Sequence, residues 1–269
     1  MGTDILDLCD GRLVALPSPY RLDGRVTTHP DDARGFAPMN TYVLVERDAA
    51  LVLEAGLSVH EASLLRRLDV VLEGRSEIGL FPLTLTEFHS VCNARAIIER
   101  FGVGTLYGLR PDVASWIDFR GRGAARPRVR TIGALGEEHL HLGQRRVEAM
   151  EAVLRLPPTL WLYDGATRTL FTSDAFTHVR RASEDGPWVV DESDDETTLD
   201  DLRDHLARGR FWWLKDAQLG PLRRTLATVF ERLDIEVIAP SYGCVLRGRA
   251  VVRRHHELLQ QALRGLGSR

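Results

Sequence analysis

Residues 83–102, LTLTEFHSVCNARAIIERFG, constrain the fold more than any other stretch of this chain. Residues 80–85 form an apolar run of strand length that feeds a short segment carrying Glu87 and His89. Residues 93–101 then show helical spacing, with Gly102 placed as the stop. A strand that delivers a carboxylate and an imidazole into a loop and turns straight into a helix fits a layered α/β architecture.

The rest of the chain repeats that alternation. Apolar runs at 41–45 and 50–53, joined by the charged turn Glu46-Arg47-Asp48, predict a strand pair closed by Gly56. Residues 59–72 have the period of an amphipathic helix, and 104–109 read as a strand. Strand pairs follow around 139–142, 146–154, 159–163 and 169–172. The acidic stretch 191–204 reads as a surface insertion or lid. Beyond it come a helix at 219–233, a strand at 236–239 and a helix at 251–263. No short-period repeat or low-complexity linker interrupts the series, which predicts one α/β domain over residues 1–269.

Composition removes several function classes. The net charge of −3 gives no global field toward nucleic acid or an anionic membrane. No run of eighteen apolar residues is present, and the acidic start MGTDILDLCDGRLVAL lacks a basic-then-apolar leader pattern. Three cysteines, Cys9, Cys92 and Cys244, suit a reducing compartment better than a disulfide framework. The expectation is a soluble cytoplasmic protein.

Four separated segments resemble the metallo-β-lactamase superfamily, above all its flavodiiron and oxygen-binding diiron branch. Met39-Asn40-Thr41-Tyr42-Val43-Leu44 followed by Ala50-Leu51-Val52-Leu53-Glu54-Ala55-Gly56 resembles the opening hairpin, which in the family ends in Asp-Thr-Gly. Residues 84–93 resemble the metal-binding loop. Tyr163-Asp164 followed by Thr169-Leu170-Phe171-Thr172-Ser173-Asp174-Ala175-Phe176 resembles the strand pair that delivers the bridging aspartate. Ile238-Ala239-Pro240-Ser241-Tyr242-Gly243 resembles the closing loop, where the family has His before Gly. The resemblance covers residues 39–248 in the expected order and implies a four-layer αββα sandwich. No flavodoxin-like segment is present, so no flavin is implied on this chain.

Carried over position by position, the resemblance leaves few ligands. Glu87 matches the loop glutamate of the diiron branch and Asp174 the bridging aspartate, while His89 stands where the family has Asp. Leu85, Ser90, Tyr242 and, by counting back from Tyr163, Arg155 occupy positions that normally hold ligands. Two divalent ions need about four to six ligands each, mostly imidazole or carboxylate. Glu87, His89 and Asp174 fall short of that. They could hold one iron or zinc ion with open positions for water, dioxygen or substrate. Alternatively no metal remains: Arg155 pairs with Glu87 or Asp174, and Leu85 and Phe88 fill the vacated volume.

Plainer roles compete at each position. Glu87 and His89 could cap the following helix, Asp174 could serve a turn, and Tyr242 could pack at a cleft mouth or act there as an acid. Cys92 and Cys244 could be a thiol pair, a thiolate ligand or, as buried free cysteines commonly are, packed bystanders. His139 and His141 read as surface or structural, and His255 and His256, among Arg and Glu in the last helix, as solvated. Arg120, Arg122, Arg126, Arg128 and Arg130 could bind phosphate or RNA, but they lack interleaved aromatics, so a solvated loop is the expectation. Arg210-Phe211-Trp212-Trp213-Leu214-Lys215 could seal a hydrophobic cleft or pack in the core. Three functions follow: a one-metal oxidoreductase or hydrolase acting on a small molecule, a metal-free protein binding a small ligand or a protein partner, and, least supported, nucleic-acid processing. Self-association stays open.

Overall fold

The computed structural model describes residues 5–117, 127–133, 138–154 and 159–267. The chain divides into two compact units. The first is Met1–Ser18 with Met39–Thr167, and the second is Pro19–Pro38 with Arg168–Arg269.

The first unit carries β1 (Leu6–Asp7), β2 (Leu13–Arg21), β3 (Phe36–Glu46), β4 (Ala49–Leu53), α1 (Glu61–Val71), β5 (Glu77–Phe81), α2 (Phe88–Val91), α3 (Ala94–Phe101), β6 (Thr105–Gly108), α4 (Val113–Ile117), β7 (Arg128–Thr131), β8 (Glu138–Leu142), β9 (Arg145–Glu151) and β10 (Leu160–Asp164). Its main sheet runs in the order β1-β2-β3-β4-β5-β6-β7. The expected hairpin is present: β3 and β4 are antiparallel, with Arg47 at φ 53° in the charged turn. From β4 onward the pairs are parallel. Parallel neighbours need crossovers, and α1, α2 with α3, and α4 supply them. Leu64 and Leu68 of α1 and Ala94, Ile97 and Ile98 of α3 pack with the strands in one apolar cluster. Each of these leucine and isoleucine side chains contributes about 1.5–3 kcal/mol on burial.

Two local differences from the sequence reading bear on the site. The strand expected at 80–85 is β5, Glu77–Phe81, displaced toward the N-terminus. Its ladder with β4 ends at Leu53↔Phe81. The next residue, Glu54, turns to φ 66° and ends that ladder, and residues 83–84 instead meet the start of β10, through a Thr84–Thr159 bridge and the Leu160 N–H to Leu83 carbonyl bond at 3.2 Å. The arginine segment also differs: Arg128 and Arg130 lie on β7, paired with β6, while Arg120, Arg122 and Arg126 lie outside the described residues. In the remainder of this unit β8, β9 and β10 form antiparallel pairs. Arg145 on β9 donates to Asp164 on β10 at 2.8 Å, and to the carbonyls of Arg12 at 2.8 Å and Val45 at 3.0 Å.

The second unit carries β11 (Thr169–Ser173), β12 (Val189–Val190), α5 (Leu199–Arg208), α6 (Gly220–Arg232), β13 (Val237–Pro240), β14 (Val245–Arg247) and α7 (Arg249–Leu266). Its strands lie in the order β12-β14-β13-β11, with β11–β13 and β12–β14 parallel and β13–β14 antiparallel. The acidic stretch is not simply a surface insertion, because its second half is helical. Thr198 and Asp201 form a reciprocal capping box at the start of α5, and Asp200 and Asp201 complement the positive end of the helix. Leu202, His205 and Leu206 make its buried face. Among the described residues, no helix is long and apolar enough to cross a membrane.

Candidate functional site

In the first unit the loop after β5 is organised around Glu54, the residue that follows β4. Its carboxylate is fully buried. Ser90 Oγ donates to Glu54 Oε2, the Leu83 N–H donates to the same oxygen at 3.2 Å, and His89 Nε2 lies 3.6 Å from Oε1. His89 Nε2 is also 3.4 Å from Ser90 Oγ. The backbone tightens the arrangement, since the Ala55 N–H donates to the His89 carbonyl at 3.1 Å. Asn93 Nδ2 bonds the carbonyls of Ala55 and Leu57, both at 2.9 Å. The imidazole expected to face a metal is therefore turned onto an internal carboxylate.

The other loop positions separate. Leu85 is 2% exposed and belongs to the apolar cluster, as the metal-free alternative requires. Phe88 does not join it: the side chain is 69% exposed, because it opens the first turn of α2 on the outer side of the loop. Glu87 is half-buried and occupies the N-cap of α2 without a side-chain capping bond, so the capping role is not observed.

In the second unit Asp174 follows β11 in a tight turn, with Ser173 at φ 48° and Phe176 at φ 63°. The turn is held by the Ala175 N–H to Thr172 carbonyl bond at 3.0 Å and the Thr172 Oγ1 to Ala175 carbonyl bond at 2.9 Å. The Asp174 carboxylate is fully buried and takes Arg210 Nη1 at 2.9 Å. Arg210 Nη2 reaches Thr27 Oγ1 at 3.4 Å, and the guanidinium carbon lies 5.4 Å from the centre of the Tyr242 ring. Tyr242 packs edge-on against Tyr20 at 6.3 Å. Burial pushes the Tyr20 phenol far above its ordinary range. Tyr242 is 3% exposed, a packed aromatic under a cation.

Several sequence expectations change here. Arg155 lies outside the described residues, and the cation observed on Asp174 is Arg210. Trp212 and Trp213 are 65% and 46% exposed. The buried members of that segment are Phe211 and Leu214, with Arg210 half-buried beside them. His255 is fully buried rather than solvated, and His256 stacks on Phe230 at 4.1 Å. Cys244 is a buried thiol whose pKa burial pushes up to about 12.

Sequence reasoning passed over Glu54 and saw Arg210 only as the edge of an aromatic run. The signal for Glu54 was present: a carboxylate directly after the wholly apolar Ala-Leu-Val-Leu, at the position where the resembled family keeps an aspartate. Iron or zinc does not fit the described groups well. The His89 imidazole faces Glu54 and Ser90, and the Asp174 carboxylate is bound by a guanidinium. Among the described residues no three His, Cys, Asp or Glu side chains are grouped to hold a metal ion.

No protein-family model matches the chain, and no curated protein matches it. Solved structures do. Rubredoxin oxygen:oxidoreductase from Desulfovibrio gigas matches with a TM-score of 0.75 at 16% identity, over 97% of this chain and 62% of that one. The flavodiiron protein from Giardia intestinalis matches at 0.66 and 14%, over 94% and 58%. A fragment of diflavin flavoprotein A 5 from Nostoc matches at 0.71 and 15%, over 98% and 96%. The chain spans about three fifths of the first two structures. At these identities the likeness shows the fold: mixed α/β with two sheets and helices, as in the metallo-β-lactamase-like core of flavodiiron proteins.

Proposed function

We propose that this chain, built on the flavodiiron-type metallo-β-lactamase-like fold, is a metal-independent binding protein for a small molecule or a protein partner. Internal ion pairs take over the charge balance that metal ions provide in a diiron site. The Asp174–Arg210 pair carries this reading. The residue matched to the bridging ligand is fully buried and lies 2.9 Å from a guanidinium. Arginine cannot lose its proton in a protein, so its repulsion of a cation is permanent. A divalent ion about 5 Å from that charge would meet repulsion on the order of 7 kcal/mol at an effective dielectric of about 20. The Glu54–His89–Ser90 arrangement supports the same reading, because it gives the one loop imidazole an internal partner.

Metal analysis of protein purified without chelator, followed by titration with ferrous iron and zinc, tests this. The expected result is less than a tenth of an equivalent bound and no saturable binding. One tight equivalent that disappears in His89→Ala would overturn it. That result would favour the one-metal oxidoreductase or hydrolase with Glu87, His89 and Asp174 as ligands.

A further inference from the structure

The second unit holds a cluster of imidazoles that the reading above does not use. His29, His178, His205 and His255 are each at most 5% exposed. Their ring centres are linked at 5.1 Å (His29–His205), 6.0 Å (His205–His178) and 5.0 Å (His178–His255). Each comes from a different part of the unit: His29 from the loop between β2 and β3, His178 from the segment after β11, His205 from α5 and His255 from α7. The His29 loop is tied to the end of α5 by Asp32–Arg208 at 2.6 Å.

Hydrogen-bond logic fixes the tautomers. The Asp195 carboxylate, held by Arg254, accepts from His255 Nε2–H at 3.1 Å. His255 Nδ1 must then accept from His178 Nε2–H at 2.9 Å. The Thr177 hydroxyl donates to the Asp174 carbonyl at 3.3 Å, so it accepts from His205 Nε2–H at 3.0 Å. This leaves lone pairs on His178 Nδ1 and His205 Nδ1. Among the described residues these two atoms and both His29 ring nitrogens have no hydrogen-bond partner. The lone pairs are sealed from solvent and are not grouped as a metal site, so the ligand they suit is the proton.

We propose that the four imidazoles form a proton-operated latch. Neutral, they lock the His29 loop, α5 and α7 together, and protonated, they drive these elements apart. The charged groups facing the cluster make an added proton costly. Arg180 and Arg210 bear on His29 and His205, and Asp195 and Arg254 bear on His255. Among the described residues the carboxylate bonded to the cluster is Asp195, which serves His255 at its far end. Burial first, then Arg180 and Arg210, holds His29 down to about 4, and His178 and His205 also lie well below the ordinary value. Such groups leave stability intact above the unfolded value near 6.5 and remove it as pH falls below that, until the folded values are reached.

Urea unfolding of the full chain at pH 7.5, 6.0 and 5.0, above the main carboxylate range, tests the latch. Each excluded proton changes the unfolding constant by about tenfold per pH unit. The wild type is expected to lose about five-hundredfold between pH 6 and 5, roughly eightfold for each of His29, His178 and His205 as they resist protonation. His29→Leu, which removes two unbonded nitrogens, is expected to lose about sixtyfold. A wild-type change below about tenfold overturns the proposal, as does a His29→Leu effect that is equal at every pH. If His29→Leu fails to fold, the wild-type slope alone decides.

Discussion

Glu54 and His89 face each other at 3.6 Å with neither side chain reaching solvent. A buried carboxylate is tolerable only when hydrogen bonds replace its hydration. Here the Ser90 hydroxyl, the Leu83 amide and the His89 ring surround it. Ser90 stands where the resemblance places a metal-binding histidine, and its hydroxyl bonds the carboxylate that faces the neighbouring imidazole. The loop shape persists because this local network holds it.

Ser90→Ala should therefore destabilise the protein by about 1–3 kcal/mol, the cost of leaving a buried acceptor short of a donor. Ser90→Thr should recover part of that loss. Urea midpoints at fixed pH measure both. An alanine variant within about 0.5 kcal/mol of wild type would mean the hydroxyl is dispensable.

The Asp174–Arg210 pair predicts a larger effect. Arg210→Met removes the guanidinium beside a fully buried carboxylate and should cost about 3–5 kcal/mol. Adding Asp174→Asn to it should restore part of the loss, because the uncompensated charge is gone. A double-mutant cycle measures the coupling. Strict additivity would show that the two side chains are neighbours without an energetic connection.

Much of the fold was legible because it depends on local pattern. The β3–β4 hairpin announced itself through two apolar runs around Glu46-Arg47-Asp48, and α3 ended at Gly102, which adopts φ 63° as an αL stop. Other elements were hidden for physical reasons. Pro17 and Pro19 inside β2 disguised a nine-residue strand. Asp200, Asp201 and Asp204 masked the apolar face of α5, which consists only of Leu202, His205 and Leu206. The site was less legible than the fold. That Leu85 and Ser90 stand at ligand positions is what the family resemblance implies. Glu54 itself carried a signal, but the Glu54–His89 and Asp174–Arg210 pairings did not, because they span 35 and 36 residues in sequence (89 − 54 and 210 − 174). Pairings over that separation leave no periodicity.

The closing loop constrains Gly243. Its φ is +80°, and a Cβ there would sit 2.8 Å from the Thr177 carbonyl and 3.0 Å from that of Val179. Gly248 shares a positive φ of +104° but has open space around it. Gly248→Ala should cost only the backbone strain of a side-chain-bearing residue at φ +104° and ψ 141°, about 1–3 kcal/mol. Gly243→Ala should cost that plus the clash, and so be clearly the worse of the two in thermal unfolding. Equal losses would mean the loop shifts away at no expense.

Arg145 and Asp164 in the first unit make the sharpest pH prediction. Both side chains are buried, and the guanidinium also bonds the carbonyls of Arg12 and Val45. Burial pushes the Asp164 carboxyl up, but the Arg145 bonds and charge, with Thr167, outweigh it and leave the group below its ordinary value. A carboxyl depressed in the folded state contributes stability that is present above the unfolded value near 3.9. That stability is lost as pH falls through the folded value. Asp164→Asn should therefore lower stability by about 3–5 kcal/mol at pH 7 and leave Arg145 without its carboxylate. The variant should also lose stability less steeply than wild type below about pH 4, since one proton no longer has to be taken up. Urea midpoints from pH 7 to 3 separate the outcomes. A parallel offset at every pH would show that the pair matters for packing alone.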